Sequence, residues 1–291
     1  MLTLLLACRQ SAQLLRLFGC PLSPYRSQPA RRATARSRWS IVTFLSFGLV
    51  LSSASQVMGQ IPTDNLESEL QAQVAQIDQA ATAGDLAAVM DFYSREFTTP
   101  DGLTYDTLKQ TLRELWQRYP DLTYQTQLNS WEQQPDGVVT VTTTQIEGDY
   151  PDERRDLSLV ATITSRQRLV NNQIVEQEIL GERSELAAGD RPPTVTFNLP
   201  EQVAPGQSYD FDAVVDEPLG DRLLLGAAIE EPIAIDNYLN PAPIELELLS
   251  SGGLFKVGEA PDQPGDRWIS AVIVRYDGIT AVTQRLRVTD K

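Results

Sequence analysis

From Asp64 onward the chain alternates apolar and polar residues with a helical period. Leu66, Leu70, Val74, Ile77 and Ala81 recur three and four positions apart, which gives one apolar face. Asp64 followed by Glu67 reads as a start signal and Gly84 as a stop. Asp85 then reads as the cap of a second helix with Leu86, Val89, Met90 and Tyr93 inward. A third helix is expected from about Tyr105 to Arg118, with Leu108, Leu112, Leu115 and Tyr119 on one side and Pro120 ending it.

After Pro120 the period changes to two, the spacing of a strand with one covered face. Leu122, Tyr124, Thr126 and Leu128 alternate in a first strand, and Pro135, Asp136 and Gly137 form a turn. Val139, Val141 and Thr143 alternate in a second strand. A third runs from Leu157 through Leu159, Ala161 and Ile163 towards Leu169, and Asn171-Asn172 is a tight-hairpin signal into a fourth near Ile174 to Arg183. Helices followed by an antiparallel sheet predict an α+β fold with the helices on one sheet face. This domain is expected over residues 63–186.

Ala187 to Pro193 (AAGDRPP) has the small, charged and proline-rich composition of a linker. Beyond it, over 194–291, only strand patterns follow. They run Val195 to Leu199, Tyr209 to Val215, Leu223 with Leu225, Ile244 to Leu248, Leu254 to Val257, Ile269 to Val274 and Ile279 to Val288. Turns at Pro205-Gly206, Pro218-Leu219-Gly220, Gly252-Gly253 and Asp277-Gly278 separate them. About seven short strands in roughly 100 residues read as a β-sandwich. The domain resembles an immunoglobulin-like module without its disulfide, with Trp268 expected in its core.

The segment before the first helix has another character. Arg31, Arg32, Arg36 and Arg38 precede the apolar run Ile41 to Leu51, and small and polar residues (SSASQVMG) follow, the order of a secretory signal. Residues 1–59 are therefore expected to direct export, with cleavage after Ala54 or Gly59. The first thirty or so residues are unusual for such a signal and are compatible with a later start. The alternative is an uncleaved signal anchor, although the apolar core is shorter than the roughly 20 residues of a membrane span. Leu5 to Cys8 and Leu17 to Cys20 resemble lipoboxes but lack an orderly basic and apolar lead, and Arg31-Arg32 lacks the apolar residues of a twin-arginine signal.

Charge sharpens this division. Residues 1–59 hold seven arginines and no acid, whereas the remainder has seventeen basic against thirty-nine acidic residues, a net of −22. Such an acidic body disfavours binding to nucleic acid and anionic lipid. The chain has no histidine, and its two cysteines, Cys8 and Cys20, precede the cleavage sites. The usual zinc, copper and non-haem iron ligand sets are thereby missing, as is a histidine-activated serine.

The stretches AATAGDLAAVMDFYSREFTTPDG, YPDLTY and RQRLVNNQIVEQEILGERSEL resemble the nuclear transport factor 2-like superfamily, particularly its SnoaL-like branch. The resemblance covers about 120 residues and implies helices closing a curved sheet into a cone with an open mouth. Members of that superfamily include isomerases, cyclases and dehydratases as well as non-catalytic binding or dimerising modules.

Candidates for the wall of such a cone are the aromatic and charged residues Tyr93, Trp116, Tyr124, Trp131, Arg166, Arg168, Glu176 and Glu178. Arg166 shares a strand face with Arg168, and Glu176 with Glu178, because side chains repeat every second residue. Facing inward, these pairs would hold a polar ligand or tune a carboxylate for acid/base work. Facing outward they are cross-strand ion pairs on a solvated face, and the aromatics are ordinary packing. The acidic cluster Asp210, Asp212, Asp216, Glu217 and Asp221 fits no calcium-loop template and reads as a solvated rim.

The sequence thus predicts an exported non-catalytic module that binds a small ligand or a protein partner in the cell envelope, with homodimerisation through the sheet left open. It needs no cofactor and no metal. The alternative is a histidine-free isomerase or hydro-lyase using Glu176 or Glu178.

Overall fold

A computed structural model describes residues 63–151, 156–218, 220, 223–234, 244–249 and 251–290. The expected export signal, its cleavage sites, both lipobox-like cysteines and Asp221 lie outside the described residues.

Helix α1 (Thr63–Thr82) buries Leu70 and Ala81 and packs Leu66 and Ile77 beside them. Gly84 ends it at φ +63°, a conformation that glycine adopts without a Cβ clash. The Asp85 amide donates to the Ala80 carbonyl at 2.9 Å and the Gly84 amide to the Ala81 carbonyl at 3.0 Å, the paired bonds of a Schellman ending. Asp85 then caps α2 (Leu86–Asp91), accepting from the amides of Ala87 and Ala88. A capping box between Thr104 and Thr107 starts α3 (Tyr105–Arg118), which buries Leu108, Leu112 and Leu115 completely.

Helix α2 is shorter than its sequence suggests. Tyr93 opens strand β1 (Tyr93–Thr98), which pairs in parallel with a later strand. Tyr93 and Phe97 are both buried, with rings 5.0 Å apart and edge-to-face. Their four-residue spacing suits a helix face and a strand face alike, and pairing to the sheet decides between them.

The four strands after Pro120 form an antiparallel meander: β2 (Thr123–Gln134), β3 (Gly137–Pro151), β4 (Asp156–Val170) and β5 (Gln173–Ala188). Asn171 and Asn172, at φ 52° and 62°, form the β4–β5 turn, where both central residues must be left-handed.

The second half contains β6 (Val195–Asn198), β7 (Gln202–Val203), β8 (Ser208–Val215), β9 (Leu224–Pro232), β10 (Glu247–Leu249), β11 (Gly253–Glu259), β12 (Arg267–Arg275) and β13 (Gly278–Val288). Three of these form a small sheet in the order β11-β8-β6. The others join the meander: β13 pairs with β5 from Ile279 opposite Ala188 to Gln284 opposite Arg183, and one sheet runs β10-β9-β12-β13-β5-β4-β3-β2. Ala187 and Ala188, expected in the linker, are therefore strand residues with neighbours on both sides. The whole is an α+β protein of mostly β-sheet with few helices.

Strand β12 is buried on both faces. Ile269, Ala271 and Ile273 face the small sheet, in a core with Phe197, Phe211 and Leu254. Trp268, Val272 and Val274 face the other way, into the core that also holds Phe97, Leu103 and Leu159. Trp268 is thus fully buried but outside the sandwich core where it was expected, because its even-numbered position points to the opposite side of the sheet from Ile269.

Candidate functional site

Helix α1 lies along β2, the outer strand of the meander, and covers part of its unpaired edge. Asp78 on α1 accepts from the Thr126 amide and the Thr126 hydroxyl, each at 2.6 Å, so both carboxylate oxygens are engaged by one residue. One turn further, the Thr82 hydroxyl accepts from the Tyr124 amide at 3.1 Å. These bonds satisfy strand amides that would otherwise invite another strand.

Between α1 and the inner sheet face lies a cavity of about 40 Å³. Val74, Ile77 and Asp78 line it from the helix, Tyr93 from β1, and Tyr124, Thr126, Thr142, Thr144, Ser165, Gln167 and Gln177 from the meander. The hydroxyls pair across strands, Thr126 with Thr144 at 3.0 Å and Thr142 with Ser165 at 3.2 Å. The Trp116 indole N–H donates to the Tyr124 hydroxyl at 2.8 Å, and the two rings meet perpendicularly. Burial raises the pKa of both Tyr93 and Tyr124 well above the usual phenol value, so both stay protonated at neutral pH. The Gln177 side chain is 2% exposed, and its amide oxygen has no hydrogen-bond partner.

Of the eight residues expected to line a cone, Tyr93 and Tyr124 reach this cavity. Trp116 stands behind Tyr124, and Trp131 packs half-buried against the first core. Arg166, Arg168, Glu176 and Glu178 lie on the opposite sheet face, since their neighbours Gln167 and Gln177 are the ones that point inward. There they pair across strands: Arg166 with Glu178 at 3.0 Å, and Arg168 with Glu176 at 3.4 Å and Asp136 at 3.6 Å. Arg287 adds a bond to Glu178 at 3.0 Å. A carboxylate acid or base at Glu176 or Glu178 would act outside the cavity, contrary to the enzymatic expectation.

A second polar cluster joins the two halves, and the sequence patterns did not single it out. Arg285 on β13, its side chain 2% exposed, donates to Glu182 on β5 at 3.1 Å, to Asp101 before α3 at 2.7 Å and to Asp266 before β12 at 2.7 Å. Trp268 donates its indole N–H to the other Glu182 oxygen at 2.9 Å. Burial raises the Glu182 pKa, against the opposing pull of Arg285. Its signal in the sequence was an acid, Glu182 in ILGERSEL, and a base, Arg285 in TAVTQRLRV, each standing among the core-facing positions of its strand.

The expected acidic rim is dispersed among local partners. Asp216 accepts from the Thr196 hydroxyl at 2.7 Å and Glu217 from the Thr194 amide at 3.0 Å. Asp210 and Asp212 line an open groove with Arg183 and Glu201. Among the described residues, no helix is long and apolar enough to cross a membrane.

Residues 190–289, about a third of the chain, match the model of a domain of unknown function (DUF8623). No curated protein matches the chain. Among solved structures, Bd1075 of Bdellovibrio bacteriovorus is similar at 20% identity over 40% of this chain, with a TM-score of 0.31; the match spans 40% of that protein's own length. A proposed scytalone dehydratase of Novosphingobium aromaticivorans is 13% identical, covering 40% of this chain and 85% of its own, with a TM-score of 0.33. A proposed SnoaL-like polyketide cyclase of Shewanella putrefaciens is 14% identical, covering 38% and 88%, with a TM-score of 0.28. The last two are nuclear transport factor 2-like folds.

Proposed function

We propose that this chain is an exported, non-catalytic module. Its α+β half, a nuclear transport factor 2-like cone, holds a small ligand in the cavity behind Tyr93 and Tyr124. Its second half, an immunoglobulin-like sandwich grafted onto the same sheet, serves to present and stiffen it. The observation that carries the reading is the chemistry of the cavity wall. Among the described residues of the wall the one carboxylate, Asp78, has both oxygens on Thr126, and burial raises both phenols further above neutrality. A wall of hydroxyls and amides suits binding, and its carboxylate is already engaged by Thr126.

Native mass spectrometry of the full chain, produced in an exporting bacterial host, tests this. The expected result is an N-terminus beginning after Ala54 or Gly59 and a native mass above the denatured one by a small molecule. An intact N-terminus refutes cleavage and leaves the uncleaved anchor, recovery of the chain in the cytoplasmic fraction refutes export, and a native mass equal to the denatured mass refutes ligand holding.

A further inference from the structure

We propose that the cavity takes an uncharged end group of a few heavy atoms, a carboxamide or a hydroxyl, seated on Gln177. This rests on the reading above of the cavity as a holding site and specifies what it holds.

A buried amide oxygen is ordinarily hydrogen-bonded, and the Gln177 oxygen, on a side chain only 2% exposed in the cavity wall, is not. It calls for a donor from an occupant. Tyr124 supplies the complement: its hydroxyl already accepts from Trp116, which leaves its own proton for an acceptor. Within the wall, the Gln177 oxygen thus supplies an acceptor and the Tyr124 hydroxyl a donor, a pair that a carboxamide or hydroxyl satisfies with a single group.

Charge and size narrow the class. An anion would enter a body of net charge −22, and among the described residues of the wall there is no cation to receive it. Among the described residues of the wall a cation would meet the carboxylate of Asp78, whose two oxygens already accept from Thr126. The volume of about 40 Å³ admits roughly three water-sized groups, so a longer ligand leaves its remainder in the mouth.

The test titrates the exported full chain with acetamide, acetate and ethylammonium at equal concentrations, reading by NMR the side-chain amide resonances of Gln177 in the parent chain and those of Gln167, with the backbone amide of Thr126, in the parent and every variant. Acetamide is expected to shift them and to bind at least roughly tenfold more tightly than either ion. Gln177→Leu is expected to weaken acetamide by about tenfold, and Tyr124→Phe, which keeps the ring and its packing, to weaken it in the same direction.

Ethylammonium or acetate binding as tightly as acetamide overturns the ligand class. So does an acetamide response that survives both substitutions, or a cavity that holds ordered water and answers no probe. A charged molecule found bound by native mass spectrometry would overturn this inference alone and leave the holding role standing. A chain that purifies empty while acetamide still binds at Gln177 would refute the holding role and leave the chemistry of the cavity as stated.

Discussion

Replacing Arg285 with methionine would remove the one positive charge around which three carboxylates are arranged. Methionine preserves most of the aliphatic length of the side chain, so the cavity left behind is small and the electrostatic consequence dominates. Glu182 would be left buried with only the Trp268 indole of the bonds described above, and Asp101 and Asp266 would face it without the guanidinium between them. Breaking a buried pair in this way costs about 3–5 kcal/mol. For a domain of this size each kcal/mol lowers Tm by ~2–4 °C, so the expected drop is about 6–20 °C by calorimetry at pH 7.

The sign with pH can be worked out from Glu182. Its pKa is raised in the folded chain, so its contribution to stability is full below the unfolded carboxyl value of about 4.3 and is lost as pH rises through the folded value. The R285M deficit should therefore shrink as pH falls towards about 4, where the orphaned carboxylates take up protons. In the parent chain, Glu182→Gln should remove this group's share of the slope of stability against pH. A deficit below about 1 kcal/mol, or one of equal size at pH 7 and pH 4, would refute the argument that Arg285 holds the halves together by charge.

Two other perturbations separate buried from exposed polar contacts. Asp78→Asn should cost about 1–3 kcal/mol, because a neutral amide cannot accept from Thr126 on both of its terminal atoms; faster hydrogen exchange at the Thr126 amide would register the loosened edge of β2. Arg166→Ala breaks an ion pair whose side chains are 53% and 33% exposed, and should change stability by less than about 1 kcal/mol in chemical denaturation.

Where a single period had only one structural solution, the sequence was sufficient. The leucines of α3 could form only a helix face between Thr104 and Pro120, and Asn171-Asn172 could form only a left-handed turn. Tyr93 and Phe97 had two solutions, and only pairing with β5 selected the strand. The charged rows were legible in their parity but assigned to no side. Ile163 and Leu169, both odd and both buried, already put the even-numbered Arg166 and Arg168 outside. Trp268 and the joining of the two sheets were beyond local pattern. A strand as apolar as Trp268–Val274, where Ser270 is the one polar residue, tells that both faces are covered, but not by what.

Strand β13 pairs with β12 on one side and β5 on the other, so the strand that follows all the other described strands in sequence sits in the interior of the sheet. In a chain delivered from its amino end, the meander would reach solution with the β5 edge at Arg183 to Ala188 open, and that edge could close only after about a hundred more residues had followed. Assembly is then a closing operation rather than a succession of finished domains. Until the strand beginning at Gly278 arrives, the protein has an exposed seam that a chaperone, or a second chain, could occupy.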